Sequence, residues 1–71
     1  MKKNYVDSSH IKYIGYDRKE SLLEIGYLDN SIYHYFKVPY EIYLDIIESE
    51  DIELARHQLI IDDVYEYEKI W

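Results

Sequence analysis

A small two-layer α+β sandwich is the fold this sequence predicts. Three segments that alternate apolar and aromatic side chains with a two-residue period come first, segments with helical spacing follow, and the single proline stands where the period changes. At 71 residues the chain has room for one domain spanning 1–71. A chain of this size buries only about 60–65% of the surface its unfolded form exposes, so its stability rests on one modest core. No cysteine is present to staple that core, and thiolate metal sites are excluded with it.

The first strand is expected over Ile11–Asp17, with Lys12, Ile14 and Tyr16 on one side and Ile11, Tyr13 and Gly15 on the other. The second runs over Leu22–Leu28, where Leu23, Ile25 and Tyr27 oppose Leu22, Glu24 and Gly26. The third runs over Ser31–Lys37, where Tyr33 and Tyr35 oppose Ile32, His34 and Phe36. β-Branched and aromatic residues at period two are what a pleated, half-buried surface selects. The polar run Asp17–Glu20 separates the first two strands, and Asp29-Asn30 closes a tight hairpin because Asn tolerates positive φ. The product is a three-stranded antiparallel meander.

Val38-Pro39 ends the third strand and opens a helix, since proline suits the first helical position, where its missing N–H would be unpaired in any case. Glu41 in the first turn suits the helix dipole. Ile42, Tyr43, Ile46 and Ile47 then form one apolar stripe. A second short helix is expected from Ile52 to Leu59, with Ile52, Ala55 and Leu59 inward. From Asp62 to Trp71 the chain alternates again and favours a C-terminal strand. Packing the first helix on the meander gives a core of Ile14, Tyr16, Leu23, Ile25, Tyr27, Tyr33 and Tyr35 against Ile42 and Ile46. The opposite face carries Glu24, Gly26, Ile32, His34 and Phe36, which is too apolar to stand in water uncovered. The tail strand, a second subunit or a ligand is expected to cover part of it, and a homodimer or higher homo-oligomer follows naturally.

Charge divides the chain. Residues 1–40 hold six basic against five acidic side chains, and residues 41–71 hold two against ten, so a nearly neutral half precedes one of net −8. Such a surface disfavours long phosphate backbones, whose sequence-independent binding comes from Lys and Arg. The absence of an apolar run of about 20 residues, and of an apolar stretch behind Lys2-Lys3, gives a cytoplasmic chain as the expectation, with no membrane partner. Ala55 is the only alanine, and scarce Gly, Ala, Pro and Arg point to an AT-rich bacterial gene or a mobile element.

The order of segments resembles the KTSC domain family. The resemblance rests on Ser9-His10-Ile11-Lys12-Tyr13-Ile14-Gly15-Tyr16-Asp17, Leu23-Glu24-Ile25-Gly26-Tyr27, Ile32-Tyr33-His34-Tyr35, and Val38-Pro39 followed by Ile42-Tyr43, and so covers residues 8–47. Beyond Ile47 it fades, with acids in Glu50–His57 where the family has basic and aromatic residues. The family takes its name from the C-terminus of some lysyl-tRNA synthetases and includes short stand-alone bacterial proteins. What the resemblance implies about function is RNA binding, suggested by that fusion to a tRNA synthetase.

No motif for catalysis emerges. Asp7, Ser8, Ser9 and His10 hold the ingredients of a hydrolytic triad, but neighbours in sequence cannot adopt its geometry. His10, His34 and His57 fall in separate segments without metal-ligand spacing, so neither metal nor cofactor is expected. Two binding hypotheses remain. In the first, a nucleotide or short single-stranded RNA stacks on tyrosines and meets Lys12, Tyr33, Tyr35, Lys37, Tyr43 and Arg56. In the second, the chain is an acidic inhibitor or nucleic-acid mimic, of phage or mobile-element type, that meets a basic host protein through Glu48, Glu50, Asp51 and Glu53.

Overall fold

In the computed structural model, residues 1–59 and 65–71 are described, with side chains at 1–57 and 65–71. The elements are β1 (Lys2–Tyr5), β2 (Ile11–Asp17), β3 (Leu22–Tyr27), β4 (Ile32–Tyr35), α1 (Tyr40–Ile47), α2 (Ile52–Leu59) and β5 (Tyr67–Lys69). The strands form one antiparallel sheet in the order β1-β2-β3-β4-β5. Both helices contribute to a core on one face of it. The expected α+β architecture is thus present, with a wider sheet than the meander alone provides. The expected C-terminal strand forms over three residues beside β4. Its predicted first residues, 62–64, and the side chain of Leu59, expected to point inward, lie outside the described residues.

The added strand is β1. It pairs with β2 through Lys2↔Tyr16, Lys3↔Gly15, Asn4↔Ile14 and Tyr5↔Tyr13. Lys2-Lys3-Asn4-Tyr5 carries no apolar alternation of its own, and only Asn4 is half-buried.

Ile14, Leu23, Ile25, Val38 and Ile46 are wholly excluded from solvent and anchor the core, each worth about 1.5–3 kcal/mol relative to exposure. One correction concerns β2. Ile11 pairs with Tyr27 while Tyr13 pairs with Gly26, so a β-bulge at Lys12 breaks the strict alternation. Ile11 therefore joins the helix-side core with Tyr16 and Ile25, and Tyr13 stays on the other face. Period-two reading cannot place both sides of an inserted residue correctly.

The face away from the helices is covered from within. Tyr13 lies across Gly26, where an added Cβ would fall inside its ring, and Met1 lies over Gly15, where a Cβ would sit 2.9 Å from the sulfur. Tyr13 is thereby 5% exposed. Its hydroxyl donates to Glu24 Oε2 at 2.5 Å, and His34 Nε2 meets Glu24 Oε1 at 2.7 Å. The tail strand does not cross this face. It extends the sheet at the edge, because β5 hydrogen-bonds to β4.

The turns use the expected chemistry. Asn30 adopts φ 73° in the β3–β4 hairpin, and the Asp29 carboxylate accepts from Ser31. Pro39 is the N-cap of α1, one position before the first helical residue. Asp51 Oδ1 accepts from the Leu54 N–H at 3.0 Å and caps α2.

Candidate functional site

Two groups of tyrosines lie on the helix side of the sheet. Tyr16 and Tyr43 stack at 5.1 Å with Tyr40 against both, and α1 closes over them. Their hydroxyls are used internally. Tyr16 donates to the Val38 carbonyl, and the Tyr43 hydroxyl accepts from the Asn4 side-chain amide. Burial raises the Tyr43 phenol, with the neighbouring Tyr40 adding to that rise and the Asn4 bond opposing it. The Arg18 guanidinium lies 4.1 Å from the centre of the Tyr40 ring.

The second group stays open. Tyr27 and Tyr33 meet edge to face at 5.6 Å, Tyr35 and Tyr67 stack at 5.6 Å, and Tyr33 lies 6.2 Å from Tyr67. These four rings line a cleft of about 700 Å³, whose other described lining residues are Ser9, His10, Leu28, Asp29 and Ser31. Strand register explains the convergence. Leu23↔Tyr35↔Tyr67 and Ile25↔Tyr33↔Lys69 are cross-strand rows, so alternate positions of β4 and β5 point to the same side.

The cleft's charge is acidic at its mouth. Both hydrogen bonds from Ser31, one from its hydroxyl at 2.6 Å and one from its N–H at 2.9 Å, go to Asp29 Oδ1 and, with the charge of Lys69, hold this carboxyl below its usual pKa. At the other rim, Glu53 of α2 accepts from Ser9 Oγ at 2.6 Å and sits 2.5 Å from His10 Nδ1. The Ser9 bond, with the His10 and Ser8 bonds and the His10 charge, outweighs burial and lowers the Glu53 pKa. This group of three is not a catalytic relay. Serine hydroxyl and carboxylate both meet the same imidazole nitrogen and each other directly, so no second nitrogen passes a proton between them. It ties the β1–β2 loop to α2.

The structure separates most of the residues that the sequence grouped as a ligand site. Tyr33 and Tyr35 do share the cleft, although Tyr35 is 3% exposed and contributes mainly to the floor. Tyr43 belongs to the closed group under α1. Lys12 sits at the bulge of β2, Lys37 in a left-handed turn at φ 56° before α1, and Arg56 on α2, and none of the three lines the cleft. The other seven described lining residues, Tyr27, Asp29 and Tyr67 among them, are ones that sequence reasoning missed as a site. The Asp29 turn and the Tyr65/Tyr67 alternation were both visible, but neither locates a cavity.

The acidic residues have divided roles. Glu48 is the C-cap of α1, and Glu48 and Glu50 are exposed. Asp51 caps α2 and Glu53 holds the loop. Among the described residues no group of three His, Cys, Asp or Glu is placed to hold a metal ion, and no helix is long and apolar enough to cross a membrane.

Fold and site together define a small α+β domain with a tyrosine-lined cleft beside its sheet. The family model of the KTSC domain matches residues 7–65, and the chain belongs to that family. The match continues past Ile47, so the acidic second half is part of the domain. Similarity to a crystal structure of a KTSC domain protein from Yersinia pestis has a TM-score of 0.87 at 26% identity, covering 99% of this chain and 97% of that one. An uncharacterized protein of Stutzerimonas stutzeri (strain A1501) is 27% identical over 70 residues, with 99% of each chain covered.

Proposed function

We propose that this KTSC domain is a non-catalytic binding module for a basic protein partner. The observation that carries the reading is the composition of the cleft: tyrosine rings and Asp29, with no Lys or Arg among the described lining residues and Lys69 alone acting on Asp29 from outside it. A phosphate brought there meets Asp29 and, behind the rim, Glu53, whereas a cation is attracted by both the carboxylates and the ring faces. The net charge of −7 extends that preference to long range, where it accelerates encounter with basic surfaces.

The test is titration of the intact chain with a short glycine–arginine peptide and, separately, with oligouridine. The peptide is expected to bind, with affinity falling as salt rises. Combined Glu48→Gln, Glu50→Gln, Asp51→Asn and Glu53→Gln neutralisation is expected to weaken it, and unchanged affinity contradicts the role of that surface. A second reading is supported by the same rings: an unpaired base of a nucleotide or single-stranded RNA stacks on tyrosine for about 1–3 kcal/mol per base. Preferential binding of oligouridine would select it.

Self-association is compatible with either reading. Among the described residues β5 pairs only with β4, and its outer edge offers a strand-addition surface to a second copy.

A further inference from the structure

We propose that two copies of this chain join through the outer edge of β5, antiparallel and about a two-fold axis at Glu68, so that one sheet continues into the next. The inference deepens the self-association noted above and is independent of the basic-partner reading.

The backbone sets the register. In the β4–β5 ladder the Phe36 N–H donates to the Glu66 carbonyl and the Ile70 N–H to the Ile32 carbonyl, on either side of the His34↔Glu68 pair. Bonding alternates along an antiparallel strand, so Glu66, Glu68 and Ile70 turn their peptide groups to β4, and Tyr67 and Lys69 turn theirs outward. Those outward groups meet no partner among the described residues. A pairing centred on Glu68 sets Tyr67 opposite the partner's Lys69 and Lys69 opposite the partner's Tyr67. Each outward residue then exchanges both of its N–H···O bonds. Centring on a neighbour satisfies fewer. A centre at Tyr67 calls on Tyr65, which lies in a bend, and a centre at Lys69 calls on Trp71, whose N–H and carbonyl already bond Ile32.

Side chains agree with that register on the cleft side of β5. Tyr67 and the partner's Lys69 are cross-strand neighbours with Cβ atoms about 5 Å apart, which places an ammonium beside the ring. The molecule already makes such a contact, with Lys3 of β1 over Tyr13 of β2 at 4.7 Å. Lys69 also acts on Asp29 of its own chain, so the ring is a second neighbour for that charge. On the opposite side of the sheet Glu68 faces its own copy, a like-charge pair that weakens the seam. The β1 edge is the poorer seam, because self-pairing there gathers Lys2 and Lys3 of both copies, and lysine guards edge strands against pairing.

The experiment uses the full chain in sedimentation velocity at concentrations up to about 1 mM. A dimer is expected whose fraction rises with concentration and with salt, because salt screens the repulsion between two chains of net charge −7. Binding of the glycine–arginine peptide responds to salt with the opposite sign, so the two readings fail separately. Glu68→Gln removes the like charge at the axis and is expected to tighten the dimer about threefold. Lys69→Pro deletes an outward N–H without touching the bonds to β4, and a monomer is expected, with circular dichroism confirming the fold. Disulfides read the register in a chain that has no cysteine of its own. Glu68→Cys is expected to bridge to its copy, since the two Cα atoms of such a pair stand about 4.5 Å apart. Lys69→Cys is expected to stay reduced, its copy lying beyond the limit of about 7 Å. A dimer bridged by Lys69→Cys or by Asn4→Cys, and not by Glu68→Cys, overturns the proposed seam while self-association stands. A monomer at every concentration overturns both and leaves the basic-partner reading to its own titration.

Discussion

Tyr16, Tyr40 and Tyr43 form a closed cluster, and Tyr27, Tyr33, Tyr35 and Tyr67 form an open one, on the same side of the same sheet. The closed rings are covered by α1, and Tyr16 and Tyr43 are 8% and 7% exposed, with each hydroxyl bonded inside the protein. Tyr40, at the edge of that cluster, is half-buried; in the second cluster Tyr35, at 3%, is a buried floor beneath the half-buried Tyr27 and Tyr33 and the 47% exposed Tyr67. Residue type does not explain the contrast. A helix of eight residues is about 12 Å long, and α1 and α2 are both of that length. Two such helices do not roof a five-stranded sheet from edge to edge. Tyr27, Tyr33 and Tyr67 keep part of their surface exposed, while the rings packed under α1 contribute to the core.

The largest effect that would test this contrast comes from emptying the closed cluster. Tyr16→Ala removes a ring and its bond to Val38 and should cost about 3–5 kcal/mol in urea unfolding, enough to unfold a chain of this size. A loss no larger than that of Tyr67→Ala would erase the distinction. Tyr13 shows how a ring becomes enclosed on the other face. Gly26→Ala would drive it off β3 and should cost about 1–3 kcal/mol, whereas an unchanged midpoint would mean that the ring relocates freely. Asn4→Ala leaves the Tyr43 hydroxyl without its internal donor and should cost about 0.5–1.5 kcal/mol. Combining it with Tyr43→Phe should then add little, and full additivity would deny the coupling.

Acidity gives a smaller, signed effect. Burial favours the neutral acid of Glu24, but bonds from Tyr13 and His34, together with the charges of His34 and Lys3, outweigh it and hold the pKa below the usual value. A carboxyl with a depressed folded pKa contributes its full stabilisation above the unfolded value of about 4.3, and that contribution fades as pH falls through the lower folded value. Urea midpoints of the parent and Glu24→Gln should therefore differ at neutral pH and converge in acid. Parallel curves throughout would exclude the linkage. The smallest stability effect is expected at Tyr67, where replacement by Ala should cost under about 1 kcal/mol while abolishing ligand binding at the cleft, since exposed positions contribute little to folding.

Much of the fold was legible because its signals are local. Leu23 and Ile25 alternate with Glu24 and Gly26, and the structure buries the first pair among the helices. Asn30 and Pro39 mark their turns, and Ile52–Leu59 is a helix over the span its spacing predicts. What was not legible depended on partners distant in sequence. β1 is a strand because β2 offers it an edge, not because Lys2-Lys3-Asn4-Tyr5 prefers one. The bulge at Lys12 is invisible to a strict period of two. For the site, Tyr33 and Tyr35 were recognised as a pair, but their cleft needed Tyr67 and Asp29 beside them. The cations expected with them went to three other places.

By itself the sequence determined the element types, their order and the acidic character of the second half, since side-chain direction along a strand or helix follows from backbone geometry and charge from composition alone. Only the tertiary structure decided which tyrosines pack under α1, which keep exposed surface, and which residues share the cleft. Those outcomes depend on how far two short helices reach across a sheet and on the register of its strands, and neither quantity is written in any single segment.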